Sequence, residues 1–293
     1  MQLAQRSQLL TPQRLGRVRI EGHRPFQNGL QDLQGLPAQL HVAPFQRGKQ
    51  GRHRRASALR QVRGGTRLIG GLESLHQTLH VFDAARRAGV PRIVYASSSS
   101  VYGDRPDLPK HEDQPPAPIS PYAVSKAATE QYGRVWSKVY GIDTIGLRYF
   151  NVFGPRQDPH SEYAIVVPRF IFRALAGEPV EVHGDGEQSR DFTYIDNVVH
   201  ANVLASRAVG AGGESFNVGC GERTSLLAIL ERLERMLGRK IERQHTPVRA
   251  GDVRHTLADI SHAKRLLGYE PLVPFDEGFR RTVEYFRTTF ARS

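Results

Sequence analysis

The pattern of apolar and polar residues changes character near residue 75. Residues 1–70 show neither the alternation of a strand nor a sustained helical period. From Leu75, apolar side chains recur at helical spacing as far as Gly89, a residue type that commonly follows the end of a helix. The continuous apolar run at 92–97 (RIVYAS) is typical of a parallel strand buried on both faces. The pattern therefore predicts a helix, a turn and a strand of an α/β fold.

Four consecutive serines, residues 97–100, follow this apolar run and precede a Val-Tyr-Gly. A serine tract is also typical of a flexible linker. In open parallel sheets, however, ligands bind just beyond the carboxyl ends of the strands. The position of the serines therefore favours the end of a functional strand over a linker.

A second helical pattern spans residues 120–141, with a proline in its first turn, and places Tyr122 and Lys126 on one face. Such pairs occur on many exposed helices, so the pair alone indicates no function. Its context adds weight, because it lies between the serine-ended strand and a further apolar run at 143–152 that also ends in polar residues. Lowering a tyrosine pKa by ~3 units requires about 4 kcal/mol of differential stabilisation. We expect Lys126 and the positive ring of a cofactor to supply it together.

Charge along the chain is uneven. The net charge of the 293 residues is +12, and residues 1–70 hold 13 of the 41 lysines and arginines but only two acids, Glu21 and Asp32. A nucleic-acid-binding arm or an organellar transit peptide has such a charge, but no groove-reading motif or aromatic interleaving accompanies it. We therefore favour an unstructured or misread extension and expect no nucleic-acid partner.

Composition argues against a membrane protein, a secreted protein and a metal-binding protein. No apolar stretch is long enough to cross a bilayer, so we expect no membrane partner. The single cysteine, Cys220, allows no internal disulfide, and no secretory signal is evident, so we expect a cytoplasmic protein. The histidines lack metal-ligand spacing and have no cysteine partners, so we assign no metal to His160, His183, His200 or His255.

Six motifs occur in order between residues 76 and 287: YASSSSVYG, PYAVSK, LRYFNVFGPRQ, GDGEQSRDFTYIDNVV, FNVG and AGDVRHTLADISHAKRLLGYEP. Together they resemble the extended short-chain dehydrogenases/reductases, and within them the NAD-dependent sugar-nucleotide epimerases and dehydratases. The resemblance implies a Rossmann-like doubly wound parallel sheet with a smaller C-terminal α/β substrate domain. On this basis residues 71–153 form a partial NAD-binding domain and 154–293 a nucleotide-sugar domain with segments returning to the sheet. A homodimer is also implied.

The resemblance also implies roles for individual residues. Tyr122 corresponds to the acid/base, and Lys126 to the residue that lowers its pKa and holds the nicotinamide ribose. Ser98 corresponds to the catalytic hydroxyl that bonds the sugar oxygen, with Ser99 as the substrate-binding fallback. The remaining implied NAD contacts are Ala96, Ser97 and Tyr149, and the remaining substrate contacts are Asn151, Arg190, Arg249 and Asp252.

For Arg190, a salt bridge with Asp191 or Asp196 is an alternative to phosphate binding. A guanidinium group suits the phosphate role because it pairs bidentately with phosphate oxygens.

The implied reaction is epimerisation at C4 of a UDP-sugar through a 4-keto intermediate, with NAD bound throughout. Dehydratases of the family carry an acid pair, and decarboxylases a glutamate, where this chain has Ser99 and Ser100. The serines therefore favour 4-epimerisation over dehydration and decarboxylation, and a reductase of the same family is a further alternative. The GPRQDPHSEYAIVVPRFI segment further resembles epimerases of UDP-hexoses or their N-acetylated forms.

The chain departs from the family at its start, because residues 1–75 contain no GxxGxxG turn for the NAD pyrophosphate. The N-terminal strands of the sheet are missing or degenerate by this pattern. We hypothesise that residues 1–70 are out of frame, through a sequencing shift or a wrongly placed start, and translation of the other frames tests this. The alternative is a truncated, non-enzymatic remnant with a basic arm.

Overall fold

The computed structural model describes residues 65–159, 166–248 and 253–290, with side chains from residue 74 to 289. The predictions made for residues 1–64 lie outside the described residues. Seven helices are described: α1 (Gly65–Arg87), α2 (Pro121–Tyr140), α3 (Val166–Ala176), α4 (Ile195–Arg207), α5 (Leu226–Leu237), α6 (Ser261–Leu267) and α7 (Phe275–Phe290).

The described strands are short, and a 3-10 helix at Ser99–Tyr102 follows the first of them. In chain order they are β1 (Arg92–Ser98), β2 (Asp143–Tyr149), β3 (Val152–Phe153), β4 (Val180–His183), β5 (Ser189–Arg190), β6 (Thr193–Tyr194), β7 (Ser215–Val218), β8 (Thr224–Ser225) and β9 (Arg243–Thr246). The strand predicted at 143–152 ends at Tyr149, because the backbone turns at Asn151, which has a positive φ of 29°.

Three parallel strands in the order β1-β2-β7 form the main sheet of the described chain. Ser98 is paired with Tyr149, and Tyr149 with Val218, so the three strands end at one edge. Parallel strands present their carboxyl ends on the same side, where ligands of open α/β sheets bind. The serine run therefore ends a strand, as predicted, and is no linker.

Alternation along β2 explains how both faces of the sheet are covered. Ile145 and Leu147 are fully buried in a cluster with residues of α4 and α6. Thr144 and Arg148, which flank these two residues, point to the other face and to α2: the Thr144 hydroxyl donates to the Gly133 carbonyl at 2.6 Å, and Arg148 pairs with Glu130. A strand with helices on both faces has no solvent-facing side, so the polar Thr144 and Arg148 are buried too and take partners on α2.

Helix α2 carries local signals at both ends. The Ser120 hydroxyl accepts a hydrogen bond from the Ala123 N–H at 3.2 Å, and Pro121 occupies the first turn, where no N–H donor is needed. Gly141 ends the helix in the left-handed conformation, with φ of 68°, which glycine adopts without steric cost. These signals place Tyr122 in the first turn, next to the carboxyl edge of the sheet.

A second apolar core lies in the C-terminal half of the chain, where α3, α5 and α7 pack with β4 and β6. Ile171, Ile229, Leu233 and Val283 are all fully buried there. The apolar positions of α5 recur at three- and four-residue spacing, which buries one face of the helix. Phe153 of this core and Arg190 of β5 both line a cavity at the carboxyl edge of the sheet.

Candidate active site

A cavity of about 610 Å³ lies beyond the carboxyl ends of β1 and β2. Its wall includes most of the predicted site residues: Ser97, Ser98, Ser99, Tyr122, Tyr149, Asn151 and Arg190. Arg249 and Asp252 lie outside the described residues. The fold therefore gathers seven predicted residues, from segments far apart in sequence, around one space large enough for a ligand.

Ser98 lies at the turn from β1 into the 3-10 helix. Its Oγ accepts a hydrogen bond from the Ser100 N–H at 3.2 Å, which caps the short helix. The Ser98 hydroxyl also hydrogen-bonds to the phenol oxygen of Tyr122, an interaction that favours the ionised phenol. The two side chains predicted to act on one sugar oxygen thus line the same cavity.

Tyr122 and Lys126 lie one turn apart on α2. The Lys126 Nζ is 5.6 Å from the centroid of the Tyr122 ring and donates a hydrogen bond to the Ala96 carbonyl at 2.9 Å. Tyr122 is 48% exposed as a residue, but desolvation of its hydroxyl raises the pKa, and the Ser98 hydroxyl lowers it by less. Burial also lowers the pKa of Lys126. In the protein by itself the phenol therefore stays protonated at neutral pH, and the lowered pKa expected for Tyr122 requires further positive charge.

The residues predicted to contact NAD divide into two kinds. Ala96 is exposed at the end of β1, and its carbonyl is the acceptor for Lys126. The Ser97 side chain points to α2, where its hydroxyl donates to Glu130. Tyr149 is held by the Asn202 amide, which donates to the phenol oxygen at 2.9 Å. Tyr149 thus presents an oriented ring at the cavity, whereas the Ser97 hydroxyl is used internally and neither Ala96 nor Lys126 lines the cavity wall.

Asn151 and Arg190 are each anchored to neighbouring backbone. The Asn151 amide donates to the Asp191 carbonyl at 2.9 Å and to the Thr256 hydroxyl at 3.1 Å. The Arg190 guanidinium donates to the carbonyls of Ser189 and Arg254 at 3.0 and 2.8 Å. Both side chains are therefore held in place at the cavity wall.

The carboxylates proposed as alternative partners of Arg190 have other partners. The Asp191 carboxylate accepts hydrogen bonds from the N–H groups of Cys220, Gly221 and Ala258 at 2.8 to 3.1 Å. Asp196 lies 3.5 Å from the guanidinium of Arg281. The Arg190 guanidinium itself donates to backbone carbonyls, and it lines the cavity wall.

Several cavity residues were missed from the sequence. Arg156 is exposed, has a positive φ of 68° and makes no hydrogen bond or ion pair within the described chain. The Oγ of Ser100 and the Oε1 of Gln157 are buried, and neither finds a hydrogen-bond partner among the described residues. Buried polar atoms without partners are rare. The only sequence signal for Arg156 and Gln157 was the GPRQ segment, which was noted for family resemblance and not for these contacts.

The described residues can be compared with what each half of NAD requires. A nicotinamide and its ribose require polar partners at the strand ends, and the Lys126 ammonium, the Tyr122 phenol and the unpaired Ser100 hydroxyl provide them. The adenosine half requires a glycine-rich turn that residues 1–75 do not contain. The described residues therefore fit the nicotinamide half of NAD.

A parallel sheet with a hydroxyl, a phenol and an ammonium at its carboxyl edge defines a Rossmann-like protein with an oxidoreductase-type site. The family model of the NAD dependent epimerase/dehydratase family matches residues 72–219. The chain belongs to this family. Among the described residues, no helix has both the length and the apolar composition that a membrane crossing needs.

Relatives of known name agree with this assignment. The UDP-glucose 4-epimerase of Mycolicibacterium smegmatis is 42% identical over 211 residues, which cover 72% of this chain and 67% of that protein. The solved structure of Thermotoga maritima UDP-glucose 4-epimerase with UDP-glucose is 37% identical, with a TM-score of 0.73 over 78% of this chain and 75% of that one.

A third relative was solved with a UDP-sugar and NAD together. The Bacillus cereus UDP-glucuronic acid 4-epimerase, solved with UDP-glucuronic acid and NAD, is 34% identical, with a TM-score of 0.69 over 73% of this chain and 67% of that one. The chain therefore spans about two thirds to three quarters of the length of these three relatives.

Proposed function

We propose that this chain carries the catalytic site of an NAD-dependent UDP-sugar 4-epimerase. The observation that carries the proposal is that Ser98 and Tyr122 line the same cavity, with the Lys126 ammonium 5.6 Å from the centroid of the Tyr122 ring. A sugar hydroxyl placed against both groups has one partner to hold its oxygen and one to exchange its proton. The names of the relatives support the same reaction class.

In this mechanism the chain handles the proton of the sugar 4-hydroxyl. Ser98 orients the C4 oxygen by a hydrogen bond, and Tyr122 accepts its proton as general base. When bound, NAD supplies the hydride acceptor and donor for the C4 carbon. Tyr122 returns the proton to the oxygen when the 4-keto sugar is reduced on its other face. Lys126 stabilises the phenolate, whose formation the protein alone disfavours.

Inversion requires the keto sugar to turn over while its nucleotide stays bound. Arg190 is proposed to hold the diphosphate, and Arg249 and Asp252 the rest of the nucleotide. The guanidinium of Arg190 is anchored by two backbone carbonyls, so it offers a fixed cation at the cavity wall. Arg156, which has no partner within the described chain, is a second cation for the same anion.

The serine positions discriminate among the reactions of the family. Dehydration or decarboxylation requires a further proton-transfer group near the sugar, and Ser99 and Ser100 provide no carboxylate there. The second candidate is a non-enzymatic remnant that binds a UDP-sugar without NAD. The lack of a GxxGxxG turn in residues 1–75 favours that candidate.

A homodimer through α1 and α2 is part of the proposal. Several large apolar side chains on the outer side of these helices and just before α2 are exposed by 40 to 63%: Val81, Ile119, Val124, Tyr132, Val135, Val139 and Tyr140. An exposed apolar surface of this kind is typical of a protein contact. A second copy of the same two helices would cover it.

An assay of the purified full chain tests the function. We expect the chain, supplied with NAD, to convert UDP-glucose to UDP-galactose, and the Tyr122→Phe variant to lose that activity. Tyr132→Phe is the matched control, because Tyr132 lies on the same helix and is 40% exposed. Folded protein that binds UDP-sugar but neither binds NAD nor epimerises would overturn the proposal in favour of the remnant. Salt-sensitive binding to a polyanion would further support that alternative.

A further inference from the structure

Beneath the predicted catalytic residues lies a buried ion pair between Glu130 of α2 and Arg148 of β2. Both side chains are only 5% exposed. The Arg148 Nε and Nη2 donate to the two carboxylate oxygens of Glu130 at 2.9 and 2.7 Å, which is a bidentate pair. The pair therefore fixes the distance and the rotation between helix α2 and the central strand of the described sheet.

The same carboxylate reaches the strand that carries Ser98. Ser97 is only 2% exposed, and its hydroxyl donates to the Oε1 of Glu130. One turn earlier on α2, Lys126 donates to the carbonyl of Ala96. Two consecutive residues of β1 are thus held by two side chains four positions apart on α2. This double attachment sets the position of α2 along β1.

The position of α2 along β1 determines where the Tyr122 phenol lies relative to the Ser98 hydroxyl. Tyr122 lies one turn before Lys126 and two turns before Glu130, and Ser98 directly follows Ser97. The three α2 side chains therefore engage three successive residues of β1: Tyr122 meets Ser98, Lys126 meets Ala96 and Glu130 meets Ser97. A shift of α2 along β1 would separate the phenol from the serine hydroxyl.

The other side of Arg148 extends the network to the segment that follows the serines. Its Nη1 donates to the phenol oxygen of Tyr102 at 2.8 Å, and Tyr102 donates to the Oδ1 of Asn217 on β7 at 2.7 Å. Tyr102 ends the 3-10 helix that Ser98 caps. The network therefore supports both flanks of Ser98.

We propose that Glu130 is a positioning residue for the epimerase reaction, which sets the distance between Tyr122 and Ser98 through its bonds to Ser97 and Arg148. The inference rests on the proposed function for the reaction itself, but its geometric part concerns the protein alone. Of the residues assigned to substrate or cofactor, Glu130 contacts only Ser97, whose hydroxyl points to α2. Buried ion pairs are weak evidence for stability, since apolar replacements are often neutral. Here the pair connects the two elements that carry the reacting hydroxyls.

Ser97→Ala is the decisive variant, because it removes the hydrogen bond from β1 to Glu130 and leaves the ion pair intact. The matched control is Thr144→Val, which removes another buried hydroxyl bonded to α2, at Gly133 and three turns from Tyr122. Ser97→Thr retains a hydroxyl and serves as the rescue variant. All four proteins are compared at equal folded fraction.

We expect Ser97→Ala to lower kcat about 10- to 100-fold with KM unchanged, since a displacement of about 1 Å costs that much in a catalytic geometry. Thr144→Val should stay within about twofold of the unmodified protein, and Ser97→Thr should recover most of kcat. Equal losses in Ser97→Ala and Thr144→Val, or no loss in Ser97→Ala, would overturn the proposal.

A second measurement needs no catalysis. The ionisation of Tyr122 is obtained from the alkaline absorbance titration of each protein minus that of its Tyr122→Phe counterpart. In Ser97→Ala we expect the pKa of Tyr122 to rise further, because separation from the Ser98 hydroxyl removes an interaction that lowers it. An unchanged titration would refute the positioning role even if the unmodified chain proves inactive. Absence of epimerisation in the unmodified chain would instead refute the proposed function alone.

Discussion

The Lys126 ammonium donates a 2.9 Å hydrogen bond to the carbonyl oxygen of Ala96, which ties the helix of Tyr122 to the last residues of β1. The same ammonium lies 5.6 Å from the centre of the Tyr122 ring. One side chain thus has a structural contact and an electrostatic one.

Replacement of Lys126 by methionine should lower kcat by about 10²- to 10³-fold, within the usual range for impaired acid–base catalysis. The phenolate of Tyr122 loses the nearest cation, so the rising limb of the kcat profile should move to higher pH. Lys138→Met is the control, because Lys138 is an exposed lysine in the last turn of the same helix. A profile that keeps its position while kcat falls would assign Lys126 a purely structural role.

The Glu130–Arg148 pair should show strong coupling in denaturant unfolding. Arg148→Met and Glu130→Leu should each lower the free energy of unfolding by about 3 to 5 kcal/mol, because each leaves one buried charge unpaired. The double variant should lose much less than the sum of the two. Additive losses would mean that the charges do not compensate each other in the folded state.

Gly133→Ala should separate α2 from the sheet. A Cβ atom at this position would lie 2.6 Å from the hydroxyl oxygen of Tyr95, which is closer than atoms can approach. We expect a loss of about 1 to 3 kcal/mol in unfolding free energy from overpacking, despite the better helix propensity of alanine.

Adding Tyr95→Phe to the Gly133→Ala variant tests whether overpacking against the Tyr95 hydroxyl causes the loss. It removes the nearest atom, so it should restore part of the lost stability, as measured by urea unfolding. A Gly133→Ala variant as stable as the parent would show that α2 adjusts without strain.

Stability should decline in alkaline solution. Burial raises the pKa of Tyr95, Tyr102 and Tyr269 above the ordinary tyrosine value of about 10. The unfolded chain ionises near pH 10 while the folded chain keeps these phenols protonated, so their contribution is intact below pH 10 and is lost above it. Unfolding free energies measured across this range should fall, and tyrosinate absorbance should appear together with unfolding. Tyr95→Phe should weaken the dependence, whereas a flat profile would contradict the prediction.

The sequence alone determined the local elements and the shared face of Tyr122 and Lys126. Apolar spacing, a first-turn proline and glycine stops depend on neighbouring residues, so the helix ending before Gly89, the helix at 120–141 and the strand ending at Ser98 were predictable. Helix α2 and strand β1 match within one residue. The i, i+4 geometry follows from the helix itself. The prediction was wrong at the end of β2, where the backbone turns at Asn151, and at the start of α1, which begins at Gly65 and not at Leu75.

Only the tertiary structure decided which side chains meet across those elements. Glu130 contacts Ser97 and Arg148, which lie 33 and 18 positions away, and no local period relates them. The direction of the Tyr122 pKa also depends on burial, which is set by the packing of α2 against the sheet and not by its neighbours in sequence. The sequence thus determined which reactive groups are present, and packing decided their distances, their charges and the ion pair that holds them.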